Sequence, residues 1–173
     1  WATLTMPQGT TVQRTTAAVR RLEAAITQVG DDLDAASGDT AGPVVRHMAT
    51  SIGDQPFTSL AHGGPGAIAA SGGGSAHLAE VNVELLSGEH RTISSRKIAQ
   101  RWRQAHGEIP GISSLTFTSQ FFTAGEAINV QLAHHDFDQL ITASDHLKQQ
   151  LSSFPGARDI ADTFEVGKRE LEI

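Results

Sequence analysis

Cysteine is missing from all 173 residues, which excludes disulfides, zinc-thiolate sites and a thiol nucleophile and leaves the redox compartment undefined. Tyrosine is missing too, and aromatic residues make up only 5%, leaving little with which to stack on nucleic-acid bases. Basic residues number 13 against 19 acidic ones, for a formal net charge of -6. Wrapping nucleic acid or lying on an anionic bilayer requires a basic face instead. No run approaches the roughly 18 consecutive apolar residues of a membrane-spanning helix. Neither a basic n-region nor an apolar signal core follows Trp1, and the closing KRELEI alternates like a strand with no turn after it. Both ends give the expectation of a piece cut from a longer protein.

What the chain does have is 39% hydrophobic residues, enough to bury a core without covalent staples. Ala2–Met6 alternates in polarity and stops at Pro7, as a half-buried strand does when it leaves its sheet. From Thr10 or Thr11 onward, Val12, Val19, Leu22, Ile26 and Val29 fall at helical spacing. The helix is expected to end in a left-handed cap at Gly30, with DDLDAASGDTAGP a loop. Val44–Thr50 and Leu78–Leu86 read as strands, the second with Val81, Val83 and Leu85 on one face. A second helix is expected after an N-cap at Ser94 or Ser95, with Ile98, Trp102 and Ala105 as its apolar stripe, and a fourth strand from Ser114. The order βαββαβ is that of the ferredoxin-like unit. Beyond it, a strand over Ala127–Leu132, a helix opening at Asp136 and a final strand pair or long strand in Ala157–Ile173 form an incomplete βαβ unit. The expected class is α+β, with one domain over 1–120 and part of a second over 125–173. The segments EIPG (Glu108–Gly111) and SFPG (Ser153–Gly156) each follow a helix and precede a strand. They fit either a common way of stopping a helix or a duplicated module.

The most unusual stretch is HGGPGAIAASGGGSAH, His62–His77, with seven glycines or prolines in sixteen positions. It contains G-x-G-x-x-A, but a dinucleotide site needs those glycines between a strand and a helix, and here they join two strands. No Gly-Lys-Ser/Thr follows for a P-loop. Neither a nucleotide nor any other cofactor is expected. Among the eight histidines, His134 and His135 stand beside Asp136 and Asp138. Neighbours on a strand point to opposite faces, so they are not expected to share a metal ion, and Asp136 reads as an N-cap. His106, near a helix C-terminus, suits the helix dipole. With no serine in a nucleophile elbow, and with Asp31, Asp32 and Asp34 in an expected loop, no enzymatic role is expected.

Several strings, in order and at matching spacing, carry a resemblance that spans essentially the whole chain. They are PQGTTVQRTTAAVRRLEAAI, AEVNVELLSGEHR, IAQRWRQAHGEIPGISSLTF, AINVQL, FPGARDIADTF and VGKRELEI. Together they resemble the second-half periplasmic porter region of resistance-nodulation-division (RND) efflux transporters, in the hydrophobe/amphiphile branch related to acriflavine-resistance pumps. The resemblance implies a parent protein in the bacterial inner membrane, a homotrimer working with a periplasmic adaptor and an outer-membrane channel, and proton-driven export of apolar or amphiphilic compounds. This part of it would lie on the periplasmic side without touching the membrane. The resemblance further implies that the glycine-rich connection, from about Gly53 through Gly74 and including Phe57 and Ile68, is a switch loop, with Gly63, Gly64, Pro65, Gly66, Gly72, Gly73 and Gly74. Substrate contacts would come from Phe57, Ile68, Leu115 and Phe117, although Leu115 or Phe117 could equally pack in the core, since strand residues alternate. Ala49, Val81 and Val83 stand where better-studied drug pumps carry phenylalanines, a departure that puts a multi-aromatic pocket in doubt. With only Met6 and Met48 in the chain, soft-metal export fits less well than export of organic solutes. The alternative is a non-transport ferredoxin-like binding or assembly module.

Overall fold

The computed structural model describes residues 1–37, 42–63, 74–119, 130–157, 160 and 162. These fall into two compact units, one within Trp1–Phe121 and one within Phe122–Glu165.

The first unit is a mixed α+β layer structure. Its strands are β1 (Ala2–Thr5), β2 (Val45–Ile52), β3 (Leu78–Leu85) and β4 (Ser114–Phe117), and its helices are α1 (Val12–Ser37), α2 (Pro56–Gly63) and α3 (Ser95–Ala105). A 3₁₀ turn, Gly88–His90, precedes α3. The sheet order is β2-β3-β1-β4 with every neighbouring pair antiparallel. Strands β1 and β2 therefore run parallel across β3, and β3 and β4 run parallel across β1. The long helices α1 and α3 make these two crossovers.

Alternation along the strands divides the sheet into two chemically different faces. Ala2 and Leu4 pair with Val81 and Ala79 on one side and with Phe117 and Leu115 on the other. All these residues face α1 and α3, where Val19, Leu22, Ile26, Ile98 and Trp102 complete the core. The opposite face carries Thr3, Thr5, Ser51, Glu80, Asn82, Ser114 and Thr116, together with Ala49 opposite Asn82 and Leu78 opposite Thr5. Helix α2 lies on this polar face.

Helix α1 is longer than the sequence reading has it, running through Gly30 to Ser37. Leu33 extends its buried stripe, and the Asp34 carboxylate accepts the amide N–H of Val44 at 2.8 Å. Gly30 is thus a close-approach residue rather than a cap, since a Cβ there would stand 3.0 Å from Cγ2 of Val45. Ser94 is the N-cap of α3, its hydroxyl accepting the Lys97 amide at 3.3 Å. Trp102 ties the two crossover helices together by donating its indole N–H to the Leu22 carbonyl at 2.8 Å.

The second unit contains α4 (Phe137–Ser152), capped by Asp136, whose carboxylate accepts the Gln139 amide at 3.2 Å. Lys148 bridges Asp145 at 2.7 Å and Asp162 at 3.0 Å, and Asp162 also accepts the Ser144 hydroxyl. Hydrogen bonds to Asp145 and Asp162 push the Lys148 ammonium above the usual lysine range. Residues 130–132 of the expected strand are irregular; its remainder, and all of the expected final strand's span 157–173 except 157, 160 and 162, lie outside the described residues. The two Pro-Gly segments share a backbone feature, because Gly111 (φ 71) and Gly156 (φ 99) both occupy the left-handed region.

Candidate functional site

The described residues around the glycine-rich connection make its two stems. On the N-terminal side, Gly53 (φ 95) ends β2 and allows a turn that other residues resist. Gly53 donates its amide to the Leu78 carbonyl and accepts the Ser75 amide, both at 2.8 Å. The chain entering the connection is thus pinned to the chain leaving it. On the C-terminal side, the fully buried Thr15 of α1 donates its hydroxyl to the Ala76 carbonyl at 2.6 Å. Met6 donates its amide to the His77 carbonyl at 2.8 Å.

Between Gly53 and the glycine-rich residues stands α2, in a stretch that sequence reading takes as loop. Pro56 opens it, a position where the missing N–H costs nothing. Its first turn is capped from a distant strand. Glu80 of β3 is 0% exposed, and its carboxylate accepts the amides of Phe57 and Thr58, both at 2.9 Å. It also accepts the Thr58 hydroxyl at 2.7 Å and the Asn82 side-chain amide at 2.9 Å. With Thr58 donating to Glu80, its contact with the Thr3 hydroxyl at 2.8 Å must be donated by Thr3. The residue before the helix, Gln55, instead donates its side-chain amide to the Leu4 carbonyl at 2.9 Å. A buried carboxylate is costly unless hydrogen-bonded, and four donors together with the positive end of α2 meet that requirement.

The structure separates the expected substrate contacts. Phe57 is on α2, 38% exposed, with its ring 6.3 Å from that of Trp1. Leu115 and Phe117 lie on the other face of the sheet, partly buried against the core. Phe117 meets Trp102 edge-on at 5.1 Å and stacks on His106 at 5.5 Å, with the Arg103 guanidinium 4.9 Å above its ring. Phe57 and the β4 pair therefore share no surface. Gly63 closes α2 and Gly74 lies beside Gly53. Gly64, Pro65, Gly66, Ile68, Gly72 and Gly73 lie outside the described residues.

His106 ends α3, and burial first, then the neighbouring Arg103, holds its imidazole below the usual range, against backbone contacts that raise it. Its Nδ1 is buried without a hydrogen-bond partner among the described residues. The dipole argument made from sequence is outweighed here by loss of water. His134 and His135 do not diverge as strand neighbours would; in their irregular segment the rings are 4.3 Å apart, and His134 Nδ1 accepts the Asp136 amide at 3.1 Å. Among the described residues no group of three or more His, Asp or Glu side chains is placed to hold a metal ion, and no helix is long and apolar enough to cross a membrane.

Sequence reasoning missed Glu80. In AEVNVEL it reads as an outward polar residue of a half-buried strand, and a partner arriving from Gln55–Thr58 leaves no trace in that pattern. The available signal was Asp-Gln-Pro-Phe at 54–57, where a proline opens a short apolar run. No family model, curated protein or solved structure matches the chain.

Proposed function

We propose that this chain is a substrate-pathway part of a proton-driven RND efflux pump, on the periplasmic side of a bacterial inner membrane, and that it binds and passes apolar or amphiphilic compounds. The observation carrying this reading is the sheet order β2-β3-β1-β4 with α1 and α3 as interleaved crossovers. That order supports the reading as a ferredoxin-like porter subdomain, and the resembling strings fall in order on α1, β3, α3 and β4. The glycine-rich connection between β2 and β3 is the proposed switch loop, Phe57 stands at its N-terminal stem, and alternating access is the proposed mechanism. No catalytic step and no cofactor belong to this proposal. The parent assembly is proposed as a homotrimer with an adaptor and an outer-membrane channel.

Two outcomes test it. Extending the reading frame in both directions should reveal apolar spans of about 20 residues on each side; soluble neighbours would point instead to a binding or assembly module. In the complete pump, Gly73→Pro should lower export while leaving the far-ultraviolet circular dichroism and melting of the isolated chain unchanged. The reason is that proline removes backbone freedom that glycine supplies. Full resistance in that variant counts against the switch-loop assignment.

A further inference from the structure

We propose that α2 is a separately releasable element, clamped onto the polar face of the sheet by the Glu80 carboxylate and able to leave it without disturbing the β2–β3 ladder. Three observations carry this. First, α2 places no described side chain in the hydrophobic core cluster, and the largest described side chain of its first turn, Phe57, is exposed. Burial in the shared core, which fixes α1 and α3, does not extend to α2, whose Pro56 and Leu60 are half-buried outside it. Second, three donors of its first turn converge on one residue, beside the Thr58 contact with Thr3 and the anchoring of Gln55 on Leu4. Oε1 of Glu80 accepts the Phe57 amide and Asn82, and Oε2 accepts the Thr58 amide and hydroxyl. Third, the chain is pinched behind α2, where Gly53 bonds both Leu78 and Ser75. That clasp lies between α2 and the ladder pairs running from Val45–Leu85 to Ile52–Ala79.

The carboxylate is well suited to a clamp of this kind because both oxygens are acceptors only. In Glu80→Gln one of them becomes an NH₂ group. Turned toward the Oε2 site, that group leaves the Thr58 amide without an acceptor; turned toward the Oε1 site, it leaves the Phe57 amide without one. Either orientation frees one backbone donor of the first turn, and Thr58 or Asn82 must reverse its own hydrogen bond as well. The side-chain volume hardly changes, so the substitution acts on the clamp and not on packing.

Hydrogen–deuterium exchange of the full 173-residue chain, read on peptides covering 54–61, tests the proposal without a transport assay. In the unsubstituted protein the α2 amides should exchange faster than those of α1 and of the β1–β3 ladder, through a local opening. Equal protection throughout would overturn the proposal. In Glu80→Gln the α2 amides should exchange about tenfold faster or more, the consequence of unpairing a donor from a charged acceptor, while α1 and β3 keep their protection. Unchanged α2 exchange, or acceleration of α2 and β3 by the same factor, contradicts it. Should Glu80→Gln not fold, Thr58→Val removes the hydroxyl that links Thr3 to Glu80 and should speed α2 exchange severalfold on its own. No change in that variant would overturn the clamp.

Discussion

Trp102 does two jobs with one side chain. Its ring fills the space between α3 and the sheet at 3% exposure, and its indole N–H reaches the Leu22 carbonyl on α1. The two contributions separate by substitution. Trp102→Phe removes the hydrogen bond and some volume and should cost about 1–3 kcal/mol, whereas Trp102→Ala should cost about 3–5 kcal/mol; urea titrations followed by circular dichroism would read both. Equal losses would mean that ring packing adds nothing to the hydrogen bond. Thr15 makes a smaller contribution: its buried hydroxyl bonds Ala76 beside the C-terminal stem, and Thr15→Val, which keeps the shape, should cost about 1 kcal/mol. Trp102 was legible as an apolar-stripe residue from its spacing with Ile98. Its partner Leu22 was not, because a hydrogen bond spanning 80 positions depends on how two helices dock.

Among the elements, α3 and β4 form a stacked cluster of Arg103, Trp102, His106 and Phe117. Since burial and Arg103 lower the His106 pKa in the folded chain, the unfolded chain binds the proton more readily. This contribution to stability is fully present above the ordinary histidine pKa of about 6.5 and is lost as pH falls through it toward the folded value. Denaturation midpoints measured from pH 7.5 to 5 (about the histidine range) should decline, and His106→Leu should flatten part of that decline. A slope unchanged by the substitution would place the effect elsewhere. The strands and crossover helices of this unit were legible because each has one apolar face at a period of 2 or 3.6. Gly30 misled for a physical reason: glycine is the usual helix terminator, and only the position of Val45 on the neighbouring strand shows that it serves close packing. Helix α2 was illegible because its cap, Glu80, comes from another strand and its apolar residues lie outside the core cluster.

At the scale of the whole molecule, the first unit presents a sheet with one apolar, helix-covered face and one face of hydroxyl, amide and carboxylate groups. Its two crossovers and the connection between β2 and β3 are what the transporter reading builds on. The second unit is described by α4, which buries none of its residues. Phe137 and Phe154 stand 56% and 63% exposed. Proton-driven export is the proposed activity of the parent protein. Its most direct measurement is accumulation of a lipophilic fluorescent dye in cells lacking their own pumps and expressing the complete parent protein with the proposed adaptor and outer-membrane channel. Accumulation should be lower than in cells without the protein, and collapsing the proton gradient should reverse the difference. Dye levels that are the same with and without the protein, across lipophilic and amphiphilic dyes, would contradict it.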